Sequence, residues 1–507
     1  MTETLDVVII GAGFAGLGAA IKLEEAGRDD FVILDDGLEV GGTWRDNTYP
    51  GAACDIPSHL YSYSFDLNPD WSFAYAKGEE IQRYIVAVSH RHGLRPHLRL
   101  GRRVREARWS EDDKRWEVTT ESGETYRARI CIAGVGGLRD PAYPAIEGRE
   151  RFAGPSMHSA RWDHDVDLAN KRVGVIGTGA SAIQVVPAIA PEASEVVLFQ
   201  RTPPWVFPRW DRSYGPLRKR LYRHLPWLQR LHRAAIYGRA ESRFVFFGPL
   251  GEKLSPPIQR LAERFVASQV RDPDKRDKLI PDYRMGCKRM LISDDYYQAL
   301  DRDDVSLETT DIARIVPEGI ELTDGRRIEL DALIYCTGFQ VDRPLGKLQV
   351  FGRGGVDLAE AWGARPSAYL GMTVPDFPNL FILVGPNAGL GHNSIIFMIE
   401  AQLRYVMDAI AQLDELETVD LSPEALTAFE DEVDRRSRRM VWSTGCESWY
   451  LGKDGVNYTL WPGSTVEFWL RTRRFDRACY RTEPRRLTAA RARGPRPRPG
   501  PRAAPRR

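Results

Sequence analysis

The clearest pattern along the chain is a short apolar run that ends in glycines and continues with helical periodicity. Residues 7–10, VVII, are continuously apolar, which is typical of a strand buried on both faces of a sheet. The stretch after the glycines is rich in alanine and leucine and predicts a helix, and a second apolar run follows at residues 31–34. This succession predicts a β-α-β unit of a parallel sheet.

The glycines of this unit have the spacing of a phosphate-binding turn. Gly11 permits the tight turn after the strand, Gly13 lets the backbone approach a pyrophosphate, and Gly16 lets the helix pack closely on the strand. Asp35 lies 24 positions after Gly11, where a carboxylate holds the hydroxyls of a ribose. The alternative is a structural glycine turn in an ordinary α/β unit.

The same pattern recurs later in the chain with the opposite charge at the end of the second strand. A second apolar run leads to Gly177, Gly179 and Ala182, and Arg201 lies 24 positions after the first of these. Arginine suits a 2′-phosphate, whereas a carboxylate suits a free 2′-hydroxyl. Two dinucleotides are therefore predicted, one such as FAD and the other NADPH, unless Arg201 is only a solvated residue at a strand end. The other residues assigned to the second nucleotide are Thr178, Ser181 and Thr202.

A stretch dense in glycine, proline and aromatic residues follows the first unit and predicts a pocket wall. Gly41 and Gly42 permit the close approach of a flavin, and Thr43 and Trp44 come next. The Trp44 ring can stack on a flavin or form a wall beside it. Asp55 lies in a turn-rich segment of the same stretch, CDIPS. The alternative is a structured loop that binds nothing.

Composition and charge exclude several other classes of protein. The chain has 507 residues, enough for two or three domains. Its net charge is +1, but the last 24 residues hold nine arginines and no acid, so the remainder is mildly acidic and does not suit nucleic acid. No stretch approaches the ~18 apolar residues of a membrane-spanning helix, so no stable membrane anchor is expected. The N-terminal residues lack the basic region of a signal peptide.

The cysteines and the tail complete the compositional picture. The six cysteines are scattered and form no C-x-x-C motif, which predicts reduced thiols and a cytoplasmic location. No metal site is predicted. The final residues are mainly arginine, proline, alanine and glycine, and they predict a disordered tail.

The segment FAGPSMHSARWD lies between the two glycine turns and has neither helical nor strand periodicity. It resembles the fingerprint of the Baeyer–Villiger monooxygenases, which belong to the class B flavoprotein monooxygenases. The segments GGTW, CDIPS, QRTP and TGF also match that family, and the similarity runs from about residue 6 to about residue 476. The fixed positions of the fingerprint are Phe152, Gly154, His158, Trp162 and Asp163.

The resemblance implies an α/β fold with two dinucleotide-binding Rossmann-like domains, for FAD and NADPH, and a helical insertion in the NADPH domain. The expected parts, in chain order, are 1–146 and 339–483 for the FAD domain, 147–204 and 284–338 for the NADPH domain, 205–283 for the helical insertion and 484–507 for the tail.

The resemblance also implies a reaction and the residues that serve it. NADPH reduces FAD, the reduced flavin takes up O₂ to form a C4a-peroxyflavin, and one oxygen atom is inserted beside a ketone carbonyl to give an ester or lactone. Arg289 would stabilise the anionic intermediates, and Asp55 would hold Arg289 in place. Lys288 would join Arg201 on the 2′-phosphate. His158 is expected to act in a hinge between the domains rather than as a base.

Other interpretations remain open from the sequence. Related flavin monooxygenases that oxygenate nitrogen or sulfur look similar, but their fingerprint ends in Phe or Tyr where this chain has Trp162 and Asp163; sulfides are also substrates of many Baeyer–Villiger enzymes. A flavin disulfide reductase needs a redox cysteine pair, and Cys54 has no partner nearby in the sequence. A non-catalytic NADP-binding regulator would carry no flavin. Lys288 and Arg289 can also be an ordinary basic pair on the surface.

Overall fold

The fold is taken from a computed structural model that describes residues 2–446, 448–452 and 454–485. The strands, in chain order, are β1 (Thr2–Ile10), β2 (Phe31–Leu34), β3 (Leu98–Arg99), β4 (Val104–Ser110), β5 (Arg115–Thr120), β6 (Thr125–Ala133), β7 (Ser156–His158), β8 (Arg172–Ile176), β9 (Glu195–Phe199), β10 (Val206–Phe207), β11 (Leu291–Ile292), β12 (Val305–Glu308), β13 (Ile312–Val316), β14 (Gly319–Leu322), β15 (Arg327–Glu329), β16 (Ala332–Tyr335), β17 (Gln349–Phe351), β18 (Leu380–Ile382), β19 (Leu416–Leu421) and β20 (Tyr480–Pro484). The α-helices are α1 (Phe14–Glu25), α2 (Thr43–Asp46), α3 (Gly78–Arg91), α4 (Ala182–Ile189), α5 (Pro216–His224), α6 (Pro226–Ser242), α7 (Gly251–Gln269), α8 (Pro273–Lys278), α9 (Tyr296–Leu300), α10 (Leu358–Trp362), α11 (Ile395–Gln412), α12 (Pro423–Ser437) and α13 (Thr465–Arg471).

The larger sheet is built around β1, and it forms the first unit together with the helices that cover it. Its strand order is β17-β4-β5-β6-β1-β2-β3, and β18 pairs with β6. Strand β1 pairs in parallel with β2 on one side and β6 on the other. All four residues of β2 are buried, as its continuous apolar run predicts. Helices α1 and α11 share the core on one face of this sheet.

The smaller sheet forms the second unit and is entirely parallel. Its strand order is β12-β9-β8-β16-β7. Strand β8 leads through the second glycine turn into α4, which repeats the β-α-β arrangement of the first unit. The prediction of an α/β fold with two Rossmann-like units is therefore confirmed.

The chain passes between the two units twice, and the two connections lie side by side. Ala142 N–H donates to the carbonyl of Gly338 at 2.9 Å, and Thr337 Oγ1 donates to the carbonyl of Ala142 at 2.6 Å. Gln340 N–H donates to the carbonyl of Asp140 at 2.9 Å. The outgoing and returning connections thus form a short paired ribbon, which brings the chain back to the first sheet at β17 and β18.

The predicted helical insertion contains α5, α6, α7 and α8, and it packs on both units. From α6, Gln229 donates to the carbonyl of Asn68 at 2.7 Å, and Arg233 donates to the carbonyl of His59 at 2.7 Å. Val266 of α7 lies instead in the core of the second unit. The insertion therefore bridges the two units rather than extending into solvent.

The prediction that all cysteines are reduced is wrong for one pair. Cys287 and Cys446 form a disulfide, with Cα atoms 6.2 Å apart. They are 159 residues apart in the sequence, so only the folded chain reveals that they are neighbours. The other four cysteines are free: Cys54, Cys131, Cys336 and Cys479.

Two further expectations concern the membrane and the tail. Within the part of the chain that the structure describes, no helix has the length and apolar character needed to cross a bilayer. The predicted start of the tail is wrong at its first residue, because Pro484 ends β20 and pairs with Leu416 of β19. The rest of the predicted tail, residues 486–507, lies outside the described residues.

Gly13 and Gly16 are required for different reasons. A Cβ on Gly16 would collide with the carbonyl oxygen of Gly11 and lie 3.2 Å from Cγ2 of Ile9. A Cβ on Gly13 would find its nearest neighbour, Cα of Gly42, at an ordinary 3.7 Å. Packing within the protein therefore demands glycine at position 16 and not at position 13.

Replacing Gly16 with alanine is expected to lower the stability of the flavin-free protein by about 2–3 kcal/mol, because the added methyl group overpacks the contact between α1 and β1. Gly13→Ala is expected to leave that stability close to wild type and to weaken FAD binding, because its methyl group occupies the approach of the pyrophosphate. Thermal unfolding of the flavin-free proteins and fluorescence titration with FAD measure the two effects. Equal destabilisation of both variants would contradict this account.

Candidate active site

The first glycine turn joins β1 to α1 and leaves the start of the helix open. Gly11 has φ +104°, and a Cβ on it would lie 2.5 Å from the carbonyl oxygen of Gly134, so only glycine fits there. Gly13 is the N-cap of α1 and has no side chain to cover the first N–H groups of the helix. Such exposed N–H groups form a ready binding site for phosphate oxygens.

Asp35 follows β2 and is buried beneath this turn. Its carboxylate accepts hydrogen bonds from the N–H groups of Ala12 at 2.6 Å and Gly37 at 2.8 Å, and it forms an ion pair with Arg45. Arg45 also donates to Asp46 at 2.7 Å. Asp35 thus holds the turn in place and puts a negative charge where the ribose of the first nucleotide is expected. Sequence reasoning missed Arg45, because nothing in the sequence indicates its contact with Asp35.

The GGTW segment faces the first turn from the opposite side. Gly42 has φ +54°, and a Cβ on it would lie 3.2 Å from Cα of Gly13. Gly42 is also the N-cap of α2, which begins at Thr43. Trp44 Nε1 donates to the hydroxyl of Tyr61 at 3.1 Å, which fixes the indole ring. The two glycine segments therefore approach each other with no side chain between them.

The second glycine turn repeats this geometry between β8 and α4. Gly177 has φ +109°, and a Cβ on it would lie 2.5 Å from the carbonyl oxygen of Cys336. Gly179 is exposed, with open space where its Cβ would be. Thr178 Oγ1 donates to the carbonyl of Thr202 at 2.8 Å, which ties the turn to the segment that follows β9.

Two of the residues assigned to the 2′-phosphate line one cavity of about 410 Å³. They are Thr202 and Lys288, and Lys288 Nζ lies 4.8 Å from the centre of the Tyr283 ring in the same cavity. Arg201 immediately precedes Thr202 and is exposed. Ser181 is the N-cap of α4, two residues after Gly179. The fold therefore brings Thr202 and Lys288 together in one cavity, whereas Arg201 and Ser181 do not line it.

Asp55 and Arg289 form an ion pair that joins distant parts of the chain. Nε and Nη2 of Arg289 both donate to Oδ2 of Asp55, at 3.0 and 2.5 Å, across 234 residues of sequence. Asp55 lies in the loop after α2, and Arg289 lies just before β11. The carboxylate raises the pKa of Arg289 further above its usual value, against the opposing effect of burial, so the guanidinium stays charged.

Tyr450 also belongs to this site, although the sequence indicated only that it lies in an aromatic segment. It is fully buried next to Arg289, and its hydroxyl lies 3.7 Å from the place that a Cβ on Gly391 would take. Burial raises the pKa of Tyr450 to about 12, although the nearby guanidinium opposes the rise. Tyr450 therefore presents a neutral hydroxyl beside the Arg289 cation.

The fingerprint segment lies at the edge of the second sheet, where the paired connections leave it. Its residues Ser156–His158 form β7 and pair with β16. His158 is fully buried, with the rings of Tyr143 and Phe339 at 5.3 and 6.2 Å, and its Nδ1 accepts the N–H of Ala160 at 3.1 Å. Burial lowers the pKa of His158 to about 4, so the ring is neutral near pH 7.

The remaining fingerprint residues have packing and turn positions. Phe152 packs against the core of β13 and β14, and a Cβ on Gly154 would collide with a neighbouring carbonyl oxygen. Trp162 lines a second cavity, of about 330 Å³, which it shares with Arg45 of the first unit. Asp163 is exposed. These positions agree with a structural element at the junction of the units.

A second polar contact ties the loop of Asp55 to the second unit. Tyr49 hydroxyl donates to Oε1 of Gln184 at 2.9 Å, and Nε2 of Gln184 donates to the carbonyl of Ala53 at 3.0 Å. Gln184 lies on α4, directly after the second glycine turn. These hydrogen bonds therefore connect the loop that carries Asp55 to the turn that is expected to hold NADPH. Neither Tyr49 nor Gln184 was identified from the sequence.

The residues of the two units suit different nucleotides. The first turn has an open helix start and the buried carboxylate of Asp35, which fit the pyrophosphate and free ribose of FAD. The second turn has an open glycine, Gly179, and the cations of Arg201 and Lys288 nearby, which fit a phosphorylated ribose. Among the described residues, no cluster of His, Cys, Asp and Glu side chains could hold a metal ion.

Comparison with known proteins places this arrangement in one family. The family model described as pyridine nucleotide-disulphide oxidoreductase matches residues 8–223. A Baeyer–Villiger monooxygenase of Pseudomonas aeruginosa is 44% identical over 480 residues, which are 94% of this chain and 90% of the relative.

Solved structures show the same fold over nearly the whole chain. Cyclohexanone monooxygenase from Rhodococcus sp. Phi1, bound to NADP+, has a TM-score of 0.85 and 28% identity, over 95% of this chain and 100% of that one. The complex of OTEMO with FAD and NADP has a TM-score of 0.83 and 28% identity, over 93% of this chain and 97% of that one. On this similarity and the two nucleotide sites, the chain belongs to the Baeyer–Villiger monooxygenase family of NADPH-dependent flavoproteins that bind FAD.

Proposed function

We propose that this chain uses FAD, NADPH and O₂ to insert one oxygen atom beside the carbonyl group of a ketone, giving an ester or a lactone. The observation that carries the proposal is the Asp55–Arg289 pair, which holds a charged guanidinium where the two nucleotide-binding units meet. The resemblance to a cyclohexanone monooxygenase supports ketones as the substrate class.

Arg289 acts as an electrostatic catalyst in this proposal. FAD, once reduced by NADPH, supplies the oxygen-activating chemistry. Attack on a carbonyl places negative charge on oxygen, and a fixed cation in a site with little water stabilises that charge strongly. Arginine suits the role because it stays protonated throughout. Asp55 is a positioning residue, since one of its carboxylate oxygens accepts hydrogen bonds from two nitrogen atoms of the guanidinium. Tyr450 adds a neutral hydroxyl beside the same cation.

Arg201, Thr202 and Lys288 are proposed to hold the 2′-phosphate of NADPH. Thr202 and Lys288 line one cavity, and Arg201 directly precedes Thr202 in the sequence. The open backbone of Gly179 and the N-cap Ser181 would receive the pyrophosphate at the start of α4. Thr178 fixes the turn by its hydrogen bond to the Thr202 carbonyl.

The fingerprint is proposed to couple the position of the second unit to the site. His158 is buried next to the paired connections, in contact with Tyr143 and Phe339, one from each connection. Its lowered pKa makes it a poor proton carrier near pH 7, because it binds a proton only near pH 4. A packing role at the hinge therefore suits His158 better than general base catalysis.

Oxygenation of amines or sulfides is the competing function, and a substrate panel separates the two. The purified enzyme, with NADPH, is offered matched cyclic ketones, thioethers and amines, and the products are identified by mass spectrometry. We expect esters or lactones from at least one ketone, with sulfoxides as minor products. Amine oxides without any ester would overturn the proposal.

The cytoplasmic location inferred from the cysteines stays a prediction.

Replacing Arg289 with alanine is expected to leave NADPH-driven reduction of the flavin intact and to slow ester formation by about 100-fold or more, because the charge that stabilises the anionic oxygen is lost. Stopped-flow absorbance follows flavin reduction, and gas chromatography quantifies the ester. Arg105→Ala, at an exposed arginine of β4, serves as the matched control and should behave as wild type. A normal ester yield from Arg289→Ala would refute the role of Arg289.

Replacing Arg201 with alanine is expected to raise the KM for NADPH by about 10- to 100-fold, the loss expected for a charge-assisted hydrogen bond to phosphate. The KM for NADH should change little, since NADH carries no 2′-phosphate. Steady-state kinetics with both reductants give the comparison. If both KM values rose equally, Arg201 would be a structural residue.

A further inference from the structure

The Cys287–Cys446 disulfide adjoins the site without a role in the proposed reaction. Cys287 directly precedes Lys288 and Arg289, and it is 1% exposed. Cys446 lies in the segment that follows α12 and is partly exposed. The bond therefore connects the Lys288–Arg289 turn to a segment from the far end of the chain.

Both cysteines line the cavity that contains Thr202 and Lys288. Thr444 and Gly445 line the same cavity, so the segment 444–446 forms one of its walls. Thr202 contributes from the second unit, whereas the wall segment belongs to the part of the chain that returns to the first unit. The disulfide is therefore a covalent bond between two segments that line the cavity, and it joins parts of the chain that belong to different units.

The non-covalent contacts between the two segments are mainly apolar, since Cys287, Val441 and Trp442 belong to one buried cluster. Cys287 Sγ lies 3.7 Å from Thr444 Oγ1, and Val441 Cγ1 lies 3.1 Å from where a Cβ on Gly286 would be. The backbone N–H of Val441 donates instead to the helical insertion, at the carbonyl of Phe247, at 2.9 Å. Because a covalent link between distant segments removes much of their freedom to separate, its loss should loosen the wall more than the loss of one packing contact.

We propose that Cys287 and Cys446 are positioning residues for NADPH: their disulfide holds the segment 444–446 against Lys288 and Thr202, and its reduction weakens NADPH binding. This inference rests on the proposed NADPH site. It gives the enzyme a response to dithiols that acts on binding of the reductant and leaves the oxygenating residues, Asp55 and Arg289, unchanged.

The reduction step is ordinary thiol–disulfide exchange with a dithiol. A thiolate of the dithiol attacks Sγ of Cys446, the more exposed residue of the pair; the Cys287–Cys446 bond breaks, and Cys287 leaves as a thiolate that takes up a proton. The second thiol of the dithiol then attacks the mixed disulfide and releases Cys446, which is also protonated. The dithiol becomes a disulfide, and two electrons pass to the protein.

The first test counts thiols in the FAD-loaded enzyme. The protein is denatured and alkylated before and after treatment with dithiothreitol, and the labelled cysteines are identified by mass spectrometry. We expect four labelled cysteines before reduction, at the free positions, and all six after it. Labelling of Cys287 and Cys446 without dithiothreitol would overturn the proposal.

The second test measures kcat, the KM for NADPH and the KM for NADH, before and after treatment of the enzyme with dithiothreitol. Reduction is expected to raise the KM for NADPH about fivefold or more, with kcat and the KM for NADH nearly unchanged. Cys446→Ser should show the raised value without dithiothreitol and no further response to it. Cys479→Ser, at a free and partly exposed cysteine, is the matched control and should respond like wild type.

Two outcomes would contradict the inference. An unchanged KM for NADPH in reduced wild type and in Cys446→Ser would show that the disulfide does not position the site. A fall in kcat with equal rises in both KM values would assign the disulfide a general structural role. If the proposed NADPH site itself is wrong, Arg201→Ala raises the KM for NADPH and the KM for NADH equally. That result distinguishes failure of the NADPH site from failure of the disulfide proposal.

Discussion

The ion pair between Asp55 and Arg289 is the interaction on which the proposed chemistry depends. Each partner comes from a different part of the chain, so the pair forms only when the loop after α2 and the segment before β11 meet. Both side chains are 27% exposed, and the cost of partly removing their charges from water is offset by their mutual attraction and by two hydrogen bonds to one carboxylate oxygen. A guanidinium held in this way has its charge and direction set before any substrate arrives.

The rest of the fold brings these partners together. The two glycine turns face the junction from separate sheets, and Gln184 links the second turn to the loop of Asp55 through Tyr49 and Ala53. The connections between the sheets run as a paired ribbon, and His158 packs against it as a neutral ring. Movement of one sheet relative to the other would therefore act on the loop of Asp55 and on the nucleotide turn together.

Local patterns in the sequence predict the elements of the fold better than they predict the contacts of the site. The apolar runs and the glycine spacing identify both β-α-β units, because the physical causes of these features lie within a few residues. The roles of Arg45, Gln184 and Tyr450, and the bond between Cys287 and Cys446, depend on partners far away in the sequence. The resemblance to the family supplied the roles of Asp55 and Arg289, which no local pattern distinguishes from surface charges.

In the proposed reaction, the enzyme transfers one atom of molecular oxygen into a ketone. The most direct measurement is a reaction with NADPH, a ketone that the enzyme accepts and ¹⁸O₂, followed by mass spectrometry of the product. The account predicts an ester or lactone that carries a single labelled oxygen, in the position between the carbonyl carbon and the migrated carbon. An ester without label, or NADPH consumption that yields only reduced oxygen with every ketone tested, would contradict it.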